Sequence, residues 1–129
     1  MTPGLIDALN CLMTQPGLVL SLIEQREVNK LGKYAIWLNL NAIWTRVVVD
    51  DYIPIIDDPK DKNGYRMAFT PLKNSQNPKI EIWQILIEKA IAKAYGGYQQ
   101  LLIESQDDCD TYLKDMVGVA PTTLELKKL

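Results

Sequence analysis

Apolar residues in this chain recur first with a helical period, then with an extended one, then with a helical period again. The longest periodic stretch covers residues 81–98, EIWQILIEKAIAKAYGGY. Advancing about 100° per residue gathers Trp83, Leu86, Ile87, Ala90, Ile91 and Ala94 on one face, with Glu81, Gln84, Glu88, Lys89 and Lys93 on the other. That pattern predicts an amphipathic helix with Trp83 filling the core. Ile82 and Ile85 fall on the polar side, so the helix is expected to touch a second neighbour or a partner there as well as the core, and these two, taken as exposed, are the first candidates for partner contact. Asn77-Pro78 supplies a start signal, and Gly96-Gly97 the φ > 0 freedom that ends a helix.

Towards the N-terminus, Leu5, Ile6, Leu9, Leu12 and Met13 share helical spacing over residues 3–13, with Thr2 as cap and Pro3 in the first turn. Gln15-Pro16-Gly17 breaks this helix, and residues 18–25 resume the pattern with Leu18, Leu22 and Ile23 inward. Residues 24–33 are polar and read as a loop. From Tyr34 the period drops to two. Tyr34, Ile36 and Leu38 alternate with Ala35, Trp37 and Asn39, and residues 44–49 form a β-branched run. Segments 34–40 and 44–50 are therefore predicted to pair as an antiparallel hairpin that turns through 39–42. Pro54 cannot donate to a ladder, so the chain leaves the sheet after Asp50. A short strand is predicted over 66–70 after the turn pair Asn63-Gly64, then a linker over 71–78. Short helices follow over 98–104 and 112–117, the second ended by Gly118, and residues 122–129 read as a tail or short strand.

The length of 129 residues, with 47% hydrophobic and 23% charged residues, suits one globular domain that buries its own core. A net charge of −2 and a pI near 5.1 argue against a broad basic footprint for nucleic acid or an anionic membrane. No apolar run approaches the roughly 20 residues of a membrane span. Cys11 and Cys109 are too few for a disulfide framework and no secretory leader precedes them, which predicts an intracellular protein with free thiols. Histidine is absent. No Cys-His or Ser-His pair can then be assembled from this chain, and the commonest neutral metal ligand is missing.

Two acidic stretches invite a metal reading. In DDPKDKNG, residues 57–64, placing Gly64 sixth in a calcium loop puts Pro59 in the first ligand position and Thr70 in the twelfth, so a polar turn is predicted instead. Asp107, Asp108 and Asp110 stand where a helix start favours negative charge, and the macrodipole explains them without a cation. No cofactor is expected.

WTRVVVDDYIP, residues 44–54, is similar to the W-x-x-V-V-V-D-D-x-L-P stretch of the calpain cysteine-peptidase domain. EIWQILIEKAIAKAYGGY resembles that family's E-F-W-x-x-L-L-E-K-A-Y-A-K-x-x-G-x-Y helix. LIDALNCL, from Leu5, resembles the family helix W-F-L-x-A-L-x-x-L, and residues 112–118 look like its short helix running to a glycine. The resemblance is strongest over 5–118, with 119–129 as a tail, and implies a single α+β unit over 1–129. That unit would be the first protease-core subdomain, a papain-like lobe of several helices packed on a small antiparallel hairpin sheet, with Trp44, Val47 and Val49 packing the hairpin on the helix of residues 81–98.

In calpains this lobe carries the nucleophilic cysteine at the start of a helix, where the N-terminus lowers the thiol pKa. Carried over residue by residue, the family's Gly-Asp-Cys-Trp motif places the cysteine at Pro3 and the following tryptophan at Gly4, and neither matches. Cys11 sits further along the same helix and reads as a small buried hydrophobe. The family's oxyanion-hole glutamine would lie upstream of Met1, and its histidine and asparagine beyond Leu129. One family calcium ligand aligns with Glu81, but one carboxylate is a poor site for a cation that takes six to eight oxygens.

The expectation is a non-catalytic calpain-like domain, a structural or interaction subunit in a larger intracellular assembly, with a cytoskeletal or flagellar setting in view. It would bind protein chains rather than nucleic acid or membrane. Met1 directly before Thr2-Pro3-Gly4 favours this over the alternative, a fragment of a calcium-dependent cysteine endopeptidase whose Cys, His and Asn lie outside the chain.

Overall fold

A computed structural model describes residues 3–68, 82–106 and 108–118. Thr2, the linker over 71–78 with its Asn77-Pro78 start signal, Glu81, Asp107 and the 119–129 tail lie outside the described residues. The architecture of the described residues is α+β, with helices packed on one long antiparallel hairpin and a second, short hairpin forming its own two-stranded sheet.

Helix α1, Pro3–Leu12, buries Gly4, Leu5, Ala8, Leu9 and Leu12. Helix α2, Pro16–Leu22, begins two residues earlier than its periodicity suggested. Pro16 is the reason, since its fixed φ suits the first helical turn and its missing N–H is one that has no intrahelical partner there. The triplet Gln15-Pro16-Gly17 thus ends one helix and starts the next, at an angle of 115°. With that phase Val19 and Leu22 turn inward and Leu18 is exposed, contrary to the expected inward Leu18. Ile23 is already extended and bridges Ile36, while the Glu24 N–H donates to the Ala35 carbonyl at 3.0 Å.

Strands β1, Lys33–Leu40, and β2, Ile43–Asp50, pair antiparallel as the alternation predicts. Asn41 and Ala42 turn the hairpin with φ of 51° and 63°. Positive φ at both central positions is the turn geometry whose twist matches the strands, although alanine gains it only against steric cost. Register sets Tyr34 opposite Val49, Ile36 opposite Val47 and Leu38 opposite Thr45 on the core face. Trp44 lies on the other face and is 52% exposed, so it does not pack the hairpin on the helix with Val47 and Val49. Side chains alternate along a strand, so residues 44 and 47, three apart, cannot share a face. On that outer face Arg46 donates from Nε and Nη2 to Glu24 Oε2 at 2.9 and 2.5 Å, which holds the Glu24 carboxyl below its usual range.

Strands β3, Ile55–Asp57, and β4, Tyr65–Met67, form the second hairpin, of which the sequence reading had only the later strand. Its connecting loop is a polar turn. The Asp58 carboxylate accepts the Lys60 N–H at 3.1 Å and the Asp61 carboxylate accepts the Asn63 N–H at 2.8 Å. Each acid thereby closes a local turn, a backbone role that needs no cation.

Helix α3, Trp83–Tyr95, lies across the long hairpin and is ended by Gly96 at φ 94°. Leu86, Ile87, Ala90 and Ile91 share one core with Tyr34, Ile36, Leu38, Val47 and Val49. Its lysines fasten the sheet: Lys89 Nζ donates to the carbonyls of Asp50 and Tyr52 at 2.8 Å each and pairs with the Asp50 carboxylate, and Lys93 Nζ donates to the Val48 carbonyl at 2.7 Å. Val48 and Asp50 alternate with the core-facing Val47 and Val49, so the lysines occupy acceptors along the hairpin's second strand. Helix α4, Tyr98–Ser105, folds back on α3, and helix α5, Cys109–Val117, packs against β1 and α1. Gly118 ends α5 at φ 72° beside Asn39, where a Cβ would come within 2.8 Å of Nδ2. Among the described residues no single helix is long and apolar enough to cross a membrane.

Candidate functional site

Pro3, the residue the resemblance sets at the family's cysteine, opens α1 and is exposed. Cys11 lies on the exposed flank of α1, not buried as expected, because it follows the core residues Ala8 and Leu9 out to the solvated side. Cys109 is the first residue of α5 and half-buried. A helix N-terminus ordinarily lowers a thiol pKa. Here burial comes first, and with Asp110, Asp7, Cys11 and Asp108 around it the Cys109 thiol is pushed up instead. Among the described residues no three Cys, Asp or Glu side chains are grouped to hold a metal ion. Asp108 occupies the N-cap position of α5 without a side-chain bond to the helix backbone, and its carboxylate accepts the Thr111 hydroxyl at 3.1 Å.

The two isoleucines chosen as partner contacts are separated by the fold. Ile82, the N-cap residue of α3, is half-buried and lines an apolar groove of about 400 Å³ together with Trp83, Met13, Val19, Leu20 and Ile23. Ile85 is 1% exposed and contacts no solvent, so it is not a partner residue of the folded domain. The cause is that α3 also buries Gln84 and Glu88, so its polar stripe is not a solvated face, whereas Ala94, expected in the core, is exposed. Periodicity identifies a buried stripe but does not register a helix enclosed on several sides. Trp83 flanks the core at the groove and does not fill it. The sequence pattern counts Met13 and Ile23 among inward helix positions and leaves only Leu20 as an apolar side chain outside the inward face of α2, so it does not gather these groove residues.

Opposite this groove's helix end, α3 and α5 are joined by the Tyr95 hydroxyl, which donates to Asp115 Oδ2 at 2.5 Å. Burial, followed by the Asp115 carboxylate, holds the Tyr95 phenol far above its ordinary range. Tyr98 is pushed up to about 12 by burial, followed by the charges of Glu88 and Asp50. Both phenols therefore keep protons that the unfolded chain releases near pH 10. The native state binds more protons than the unfolded state above that pH, so stability is fully present below pH 10 and falls as pH rises beyond it. Urea midpoints measured from pH 8 to 12, alongside phenolate absorbance, are expected to show this fall and its reduction in Tyr95→Phe. A flat profile would contradict it.

The comparisons with known proteins agree on one family. The family model for calpain family cysteine proteases matches residues 5–128. Calpain-7 of Sus scrofa is 36% identical over 74 residues, which are 57% of this chain and 8% of that protein. Calpain-5 of Caenorhabditis elegans is 34% identical over 85 residues, 66% of this chain and 11% of that protein. The calpain-type cysteine protease DEK1 of Zea mays is 29% identical over 115 residues, 89% of this chain and 5% of that protein. The chain thus spans about a tenth or less of the length of these relatives. No solved structure matches it significantly. With the α+β lobe, the helix of Trp83–Tyr95 laid on the hairpin of Trp44, and a family match that runs over nearly every residue, the chain belongs to the calpain family of cysteine proteases.

Proposed function

We propose that this chain is a non-catalytic calpain-like domain that serves as a structural or protein-interaction subunit of a larger assembly. The observation that carries this reading is Pro3 at the head of α1, in a chain without histidine. A thiol peptidase needs a thiolate and a base to generate it. Cys109, with its raised pKa, and Cys11, on the flank of α1, stand away from that helix start. The groove bounded by Ile82, Trp83 and α2 is where a protein partner would seat its apolar side chains, since the described residues leave this apolar lining open. The same reading places the subunit in the cytoplasm, in a cytoskeletal or flagellar assembly.

An electrophilic cysteine-protease inhibitor and a peptide substrate, each applied with and without calcium, test it. The 129-residue chain is expected to cleave nothing and to label no faster than an ordinary free thiol. Saturable labelling of one cysteine together with cleavage would overturn the proposal. The alternative, a piece of a calcium-dependent calpain-type endopeptidase, draws support from the much greater length of the relatives. Recovery of cleavage when flanking coding sequence with an intact Gly-Asp-Cys-Trp is restored would establish that alternative.

A further inference from the structure

The apolar groove between α2 and the head of α3 carries its own complement on its lining. Residues 25–28, which are neither helical nor part of a strand, contribute to that lining. Val28 is among them and is still 86% exposed, an apolar side chain that stands in water beside an apolar hollow of about 400 Å³. Arg26 and Glu27, next to it, are also exposed. Neither has an ion pair among the described residues, whereas Glu24, two residues earlier, is taken up by Arg46. The groove thus offers a cation and an anion side by side, with a knob and a hollow alongside. A surface that presents both halves of each pairing is complementary to itself. Across a twofold axis residue i of one copy meets residue j of the other while j meets i, so a single rotation can pair Arg26 with Glu27 twice and bring each Val28 to the opposite groove. An unrelated partner would have to bring the same two charges in the reverse order and its own apolar knob.

We propose that this face is the interface of a twofold dimer, with a second copy of the chain as the occupant of the groove. Affinity comes from apolar surface withdrawn from water when each Val28 enters the other copy's groove between α2 and Trp83. The two Arg26–Glu27 pairs lie at the rim, where opposite charges add little affinity but like charges set against each other are costly, so they fix the register of the two copies. A contact built on one groove and one knob per copy is modest beside the roughly 800 Å² per partner of a standard interface, which places the dissociation constant in the micromolar range. The inference rests on the reading of this groove as a docking surface and names what docks there. It is independent of whether the chain cleaves peptides.

Sedimentation equilibrium of the 129-residue chain, loaded from about 1 to 200 μM, tests it. A monomer–dimer equilibrium with no larger species is expected. Val28→Asp is expected to weaken the dimer by about tenfold or more, with an unchanged circular dichroism spectrum because the side chain stands in water in the monomer. Arg26→Glu and Glu27→Arg are each expected to weaken it by about tenfold, since each sets like charges against each other twice. The double variant carrying both substitutions restores opposite pairs, and its dissociation constant is expected to return to within about threefold of the original. A monomer at every concentration, a dimer indifferent to Val28→Asp, no recovery in the double variant, or growth beyond the dimer, the mark of a head-to-tail contact, would each overturn the proposal. A monomer from which Ile82→Asp strips a different copurifying protein overturns the dimer and leaves the proposed function standing, whereas peptide cleavage overturns that function alone.

Discussion

Ile85→Asp is expected to unfold the domain at neutral pH, while Ile82→Asp, three residues earlier on the same helix, leaves it folded. Ile85 is 1% exposed, so the substitution removes a buried aliphatic side chain and sets a carboxylate in its place. Losing the side chain alone costs about 2–5 kcal/mol, and an unpaired buried charge adds several more. The sum reaches the roughly 5–15 kcal/mol that holds a domain together. Ile85→Val isolates the packing part and should cost about 1 kcal/mol. Ile82 is half-buried at the head of α3, where an aspartate keeps access to water. Circular dichroism and urea unfolding check the contrast. Native-like unfolding of Ile85→Asp would show that its site is wet. Loss of a copurifying partner in the folded Ile82→Asp is the result expected if the groove is the docking surface, and undiminished copurification would remove the groove from consideration.

Tyr112→Ala is expected to lower stability by about 3–5 kcal/mol, the largest loss from any single truncation in this core. Tyr112 is fully buried among the core residues that join α5, α1 and β1. Its hydroxyl lies 3.0 Å from Ser105 Oγ, which itself donates to the Leu101 carbonyl at 2.6 Å, so the Tyr112 hydroxyl is the donor between them. This short chain ties α5 to α4. Tyr112→Phe keeps the ring and removes only that donor, for an expected cost of about 1 kcal/mol. Equilibrium denaturation of both variants separates ring from hydroxyl. Equal losses would mean that the hydroxyl, not the ring, dominates, against the packing argument.

Legibility varied with the kind of pattern. The long hairpin was readable because its two segments alternate with period two and meet at a short turn, and because a slip of one residue would expose Ile36 and Val47 together. Helices α1, α3, α4 and α5 were readable from spacing, and α3 and α5 also from the glycines that end them. Strand β3 was not, since three residues after a proline carry too little pattern, and only pairing with β4 defines them. The face of Trp44 was misassigned by grouping it with Val47, although strand parity alone excludes that. Of the two isoleucines, Ile82 lines the groove and Ile85 is buried. Their difference comes from what packs around α3, and periodicity within one helix carries no record of its neighbours.

The amino-acid sequence by itself determined the long hairpin, helices α1, α3, α4 and α5, the family and the lack of histidine, because each is local patterning or a residue identity. Only the tertiary structure decided which polar stripe is buried, that Trp83 borders a groove, and that Lys89 and Lys93 fasten α3 to the sheet. Those properties arise between segments far apart in the chain. Burial and charge are set by everything within reach of a side chain, and what lies within reach is fixed only when the segments pack.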